Sequence, residues 1–145
     1  MRTRRLIVGF VASAAMAAAC SDGQASSENA AVWVLPTLQN RGPMPESSTS
    51  FAADVTRLAC SGGVTGTVMA PTISVRDTDI IVTFTVSSLA PGSYTCVGGR
   101  PVRYVVELGQ PIGTRRLIDG ACLPGAAAAT TAVCDGGGVR SVPLP

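Results

Sequence analysis

Histidine and lysine are both missing from this sequence. Without an imidazole no side chain titrates unperturbed near neutrality, and without a side-chain amine there is no Schiff-base nucleophile. Catalysis would fall to carboxylates, hydroxyls and arginine. The lack of histidine and of any Cys-x-x-Cys pair also removes the usual zinc donors, so neither a metal nor a cofactor is expected. Aromatic residues make up 4% of the chain, and a core of mostly Val, Ile, Leu and Ala is thin for a small domain. Long apolar runs are lacking too. The longest apolar one, Leu6 to Ala19, falls short of the ~20 residues a spanning helix needs, so the mature chain is not expected to be an integral membrane protein.

What stands at the N-terminus is a leader. Arg2, Arg4 and Arg5 form a basic head, the run from Leu6 follows, and Ala17 to Ala19 end it on small residues, which is the pattern of an export signal over residues 1–19. Three of the 11 arginines lie in that leader, and the remaining eight face nine carboxylates. The mature chain is therefore near −1, and no Arg run interleaved with aromatics survives to meet nucleic acid.

Two processing routes fit the leader. Ala17 and Ala19 suit an ordinary signal peptidase, which would release a secreted protein. Cys20, followed by Ser21, Asp22 and Gly23, resembles a bacterial lipobox. That resemblance implies that the thiol carries a diacylglyceryl group (and palmitate) and that the protein sits lipid-anchored on the outer face of a membrane. Setting Cys20 aside leaves Cys60, Cys96, Cys122 and Cys134, an even set that in an exported chain reads as two disulfides with three possible connectivities. Cys60 with Cys96 and Cys122 with Cys134 is the favoured one.

Residues 20–50 are rich in Ser, Ala, Pro, Asn and Gln and read as a tether, with "GPMPESSTS" at 42–50 its clearest signature. Within it "AVWVLPTL" at 31–38 carries the only Trp. It suits an edge strand or a flap over a cleft, since Pro36 argues against a central strand. Residues 51–145 carry the period-two pattern of a β domain. "IIVTFTV" at 80–86 and "VRYVVEL" at 102–108 alternate most clearly. Weaker candidates are 54–60, 65–69, 72–76, 94–96, 116–118, 130–134 and 139–142. "RDTD" at 76–79, "APGS" at 90–93, "GQPIG" at 109–113 and "DGGG" at 135–138 are expected to turn hairpins. The expected fold is all-β, a small antiparallel sandwich of immunoglobulin-like or Greek-key type with two disulfides.

Two resemblances bear on this. "LAPGSYTC" places Tyr94 just after a turn and two residues before Cys96, which resembles the tyrosine corner of immunoglobulin-like sandwiches. The stretch "SYTCVGGRPVRYVVELGQPIGTRRLIDGAC" at 93–122 resembles a group of uncharacterised exported proteins and lipoproteins of high-GC actinobacteria. It implies an envelope location and no particular activity.

Candidate chemistry is sparse. Asp119 and Asp135 each precede Gly near a cysteine and could form a shared-proton carboxylate pair, or simply serve as Asp-Gly turn residues. Asp77 and Asp79 suit a hairpin tip better than a calcium site. Ser61 to Gly63 and Gly98-Gly99 lead into no expected helix, so no dipole reinforces them as anion loops. Arg100, Arg103, Arg115 and Arg116 form the densest basic cluster. They are the expected binding surface for an acidic polysaccharide or lipid headgroup, or else a solvated face with Arg103 paired to Glu107 or a neighbouring strand. The leading expectation is a non-catalytic lipoprotein module, without nucleic-acid partners, that binds a protein or polysaccharide or organises the envelope. The alternatives are a small secreted hydrolase using the Asp119 and Asp135 pair, and an unanchored secreted inhibitor or ligand carrier.

Overall fold

A computed structural model describes residues 27–36 and 44–142. The leader and Cys20 lie outside the described residues. Within them the regular structure is nearly all sheet. β1 (Ala30–Val34), β2 (Ser50–Arg57), β3 (Thr72–Val75), β4 (Asp79–Thr85), β5 (Val102–Glu107), β6 (Arg116–Asp119) and β7 (Val139–Ser141) are joined by loops and short 3-10 turns. The strand order is β5-β2-β1-β4-β6-β7, with β3 on β4. Both disulfides are the favoured ones, Cys60 with Cys96 and Cys122 with Cys134.

The sheet is mixed rather than purely antiparallel, because β6 pairs with β4 in parallel, Asp79 opposite Arg116 through Val82 opposite Asp119. "RDTD" does turn the β3-β4 hairpin, with Arg76 N–H bonded to Asp79 C=O. "GQPIG" does not turn a hairpin: it carries the chain from β5 at one end of the sheet back to β6 beside β4.

β1 shows the main departure from the expected layout. It is no edge strand. It lies between β2, with Ala31 opposite Arg57 and Val34 opposite Asp54, and β4, with Ala30 opposite Thr85. Pro36 follows the last paired residue, so its missing N–H removes no ladder bond. The supposed tether is also part of the fold in its second half. Met44 packs on the core, and Ser48 C=O, Thr49 C=O and Glu46 C=O accept from Ile112, Leu108 and Gly113 N–H. Polar and Pro-rich composition here marks a docked turn.

Alternation builds one core. Phe51, Ala53 and Val55 of β2, Ile80, Val82 and Phe84 of β4, Ala31 and Trp33 of β1, and Val106 of β5 all turn inward. Phe84 and Tyr104 have ring centroids 5.3 Å apart, although β1 and β2 lie between their strands. A flat sheet would hold them roughly 14 Å apart at ~4.8 Å per strand, so the sheet is curled around its own core. Trp33 is fully buried, 5.2 Å from Phe51. It therefore fills the core and covers no cleft. Val32, on the other face of β1, packs with Ala121, Ala128 and the Cys122 and Cys134 pair, so the stapled segment after β6 covers the outside of β1.

Candidate functional site

The end of the fold beyond β2 collects two long irregular segments. Loops 58–71 and 86–101 meet there because Arg57, the last residue of β2, falls on the inward face by alternation with Phe51, Ala53 and Val55. Arg57 is 5% exposed, and its guanidinium ties three segments together. Nε donates to Thr65 C=O at 3.2 Å, Nη1 to Glu28 C=O at 2.5 Å, and Nη2 to Ser87 C=O. Among the described residues, carbonyl dipoles rather than a carboxylate hold this cation.

An exposed disulfide, Cys60 to Cys96, clamps the same loops. Beside it Gly62 N–H donates to Thr95 C=O and Arg100 N–H to Gly63 C=O, and the Thr65 hydroxyl donates to Arg100 C=O at 2.7 Å. Gly62 and Gly63 have φ of +63° and +87°, a turn that other residues adopt only under strain. Between the loops runs an open groove of about 700 Å³ bordered by residues 62–66, Val97, Gly98, Arg100 and Val102. Val64, Val97 and Val102 are 54%, 58% and 37% exposed there. A second hollow of about 550 Å³ lies across the disulfide, with Arg57, Asn29, Ser88 and Tyr94 on its walls. Tyr94 Oη donates to Ala90 C=O at 2.7 Å, but the residue is exposed and residues 94–96 form no strand.

The four arginines expected to form one surface are divided. Arg100 borders the groove. Arg103 on β5 forms a two-pronged bridge to Asp54 on β2, at 2.7 and 3.2 Å, so it pairs with its neighbouring strand rather than with Glu107. Arg116 on β6 bridges Asp79 at 2.7 Å, and β2, β1 and β4 separate it from β5. Arg115 donates to the carbonyls of Ile112 and Pro111. Asp79, held by Arg116 and the Thr78 hydroxyl, has its carboxyl lowered by Arg116. Its hairpin neighbour Asp77 is exposed.

Asp119 and Asp135 stand in different surroundings. Asp135 is exposed. Asp119 is fully buried where β1 and β6 share one edge of β4. At that fork Trp33 leaves the β4 ladder. Its backbone N–H donates to Asp119 Oδ2 at 3.0 Å, and its indole N–H donates to Val82 C=O at 2.9 Å. Ala121 N–H takes Oδ1 at 3.0 Å, and Arg140, only 9% exposed at its side chain, takes Oδ2 at 2.9 Å. Burial pushes this carboxyl above its ordinary 3.8, against the lowering pull of Trp33 N–H, Arg140 and Ala121 N–H. Both oxygens are used in closing the fork.

Sequence reasoning passed over Arg57 and Arg140. The alternation in "FAADVTR" was the available signal for Arg57. Nothing local marked Arg140, whose partners Asp119 and Val133 come together only through tertiary structure. No family model, curated protein or solved structure matches the chain.

Proposed function

We propose that this chain is a non-catalytic binding module of a bacterial cell envelope, held at the outer face of a membrane by a lipid on Cys20 and contacting a protein or polysaccharide through the groove at its clamped end. Cysteine parity carries the reading. Cys60, Cys96, Cys122 and Cys134 are used up in two bridges, and Cys20 is the fifth cysteine of the chain, left without a cysteine partner directly after an export leader. Two disulfides fit an oxidising compartment. Solvent-facing valines around a glycine-lined groove with one arginine, on loops fixed by a disulfide, suit a pre-organised contact surface.

Labelling in cells with an alkyne palmitate analogue should mark the wild type and leave Cys20→Ser unmarked and released to the medium. Wild type that stays unlabelled and soluble overturns the anchor. A photo-crosslinking residue at Val97 should capture an envelope component, whereas the same residue at Val75, 39% exposed on β3, should not. Equal yields at the two positions would remove the groove from consideration.

A further inference from the structure

The outer strand β5 carries a pattern that pairs with itself. It ends the sheet, with β2 on one side only. Leu108 N–H bonds to Thr49 C=O in line with the β2 ladder, so by strand alternation Val106, Tyr104 and Val102 turn their backbone groups toward β2. Those of Arg103, Val105 and Glu107 point the other way. Among the described residues none pairs with that edge. Edges of this kind are usually blunted by charge, proline or a bulge. Here Pro101 precedes the strand, and the two charges on its outer face are of opposite sign.

We propose that β5 pairs antiparallel with β5 of a second copy of this chain, about a two-fold axis through Val105. That register faces Arg103 with Glu107 of the copy, Glu107 with Arg103, and Val105 with Val105. All of these residues have outward N–H and C=O groups, so each facing pair exchanges both its backbone bonds. The outer-face rows continue across both sheets. Asp54 already bridges Arg103, and the copy's Glu107 would extend the row to Asp, Arg, Glu. Ala52 lies opposite Val105, so the central row becomes Ala, Val, Val, Ala and covers a valine that is 57% exposed. On the inner face half-buried Tyr104 meets Val106, and Val102, 37% exposed, meets Leu108.

Competing registers lack this match. An axis through Arg103 sets Arg against Arg and brings Pro101, which has no N–H, opposite Val105. An axis through Glu107 sets Glu against Glu. Axes through Tyr104 or Val106 leave the charges facing Val105, Pro101 or Gly109. Charge complementarity thus selects both the partner and the register.

Sedimentation of the purified, oxidised chain should show a dimer. Arg103→Glu alone and Glu107→Arg alone each place like charges opposite one another, and each should raise the dimer Kd about tenfold or more. Mixing the two variants pairs Glu with Arg at every charged position and should restore association as a heterodimer. Val105→Pro removes only an N–H that points away from β2, so it should keep the circular dichroism of the wild type and be monomeric. A wild type that stays monomeric at about 1 mM, a concentration typical of very weak association, overturns the proposal. So does a dimer that survives Val105→Pro, or a mixture that associates no better than its components.

Discussion

A buried guanidinium with no carboxylate partner among the described residues is costly unless its donors are satisfied, and Arg57 donates to the carbonyls of Glu28, Thr65 and Ser87. Arg57→Ala leaves those acceptors unpaired and releases three segments at once. It should lower unfolding free energy by about 2–4 kcal/mol in urea melts, whereas Arg100→Ala, exposed at the groove, should change it by less than about 0.5 kcal/mol. Asp119 makes a prediction with a definite sign. Its folded carboxyl lies above the ordinary 3.8 because burial outweighs its hydrogen bonds and Arg140, so the folded state holds that proton more tightly than the unfolded chain does. Its titration then contributes stability that is complete below pH 3.8 and is lost as pH rises through the folded value. The stability gap between wild type and Asp119→Asn should therefore be widest in acid and narrow toward neutrality. A gap that widens with pH would mean that Arg140 dominates over burial.

At the scale of elements, the two disulfides span 36 and 12 residues, and chain entropy alone assigns them about 4 and about 3 kcal/mol. Replacing Cys60 and Cys96 by Ser should thus cost at least as much in urea melts as replacing Cys122 and Cys134. The exposed bridge should also be alkylated first under mild reductant, with the buried one protected by Val32 and Ala128. The strands 80–86 and 102–108 were legible because their alternation is local, and the bridges because setting Cys20 aside leaves an even set of cysteines to pair. β1 was not legible as a central strand: Pro36 looked disqualifying, and only the β2 and β4 partners show that pairing ends before it. The parallel β4-β6 pair and the Asp119 fork depend on where distant segments cross, which periodicity does not encode. The groove was foreshadowed by "SGGV" and "CVGGR", read only as weak anion loops, while the expected arginine surface divides into two ion pairs, an Arg115 held by carbonyls and an Arg100 at the groove.

At the scale of the whole molecule, a curled sheet around a few aromatics is stapled by one disulfide at the loops beyond β2 and by another on the outer face of β1, and it carries the groove at the end beyond β2. The described fold begins by Ser27, only a few residues after Cys20, so a lipid there would hold the sheet near the bilayer on a short lead. Anchor, closed disulfide set and binding end form one proposal about an exported module, and intact mass spectrometry of the protein extracted from envelopes tests it most directly. The expected result is a chain starting at Cys20, heavier by a diacylglyceryl group, with the other four cysteines unreactive to alkylation until reduced. A mature chain without lipid, or with Cys20 joined by a disulfide to any of the four, would contradict it.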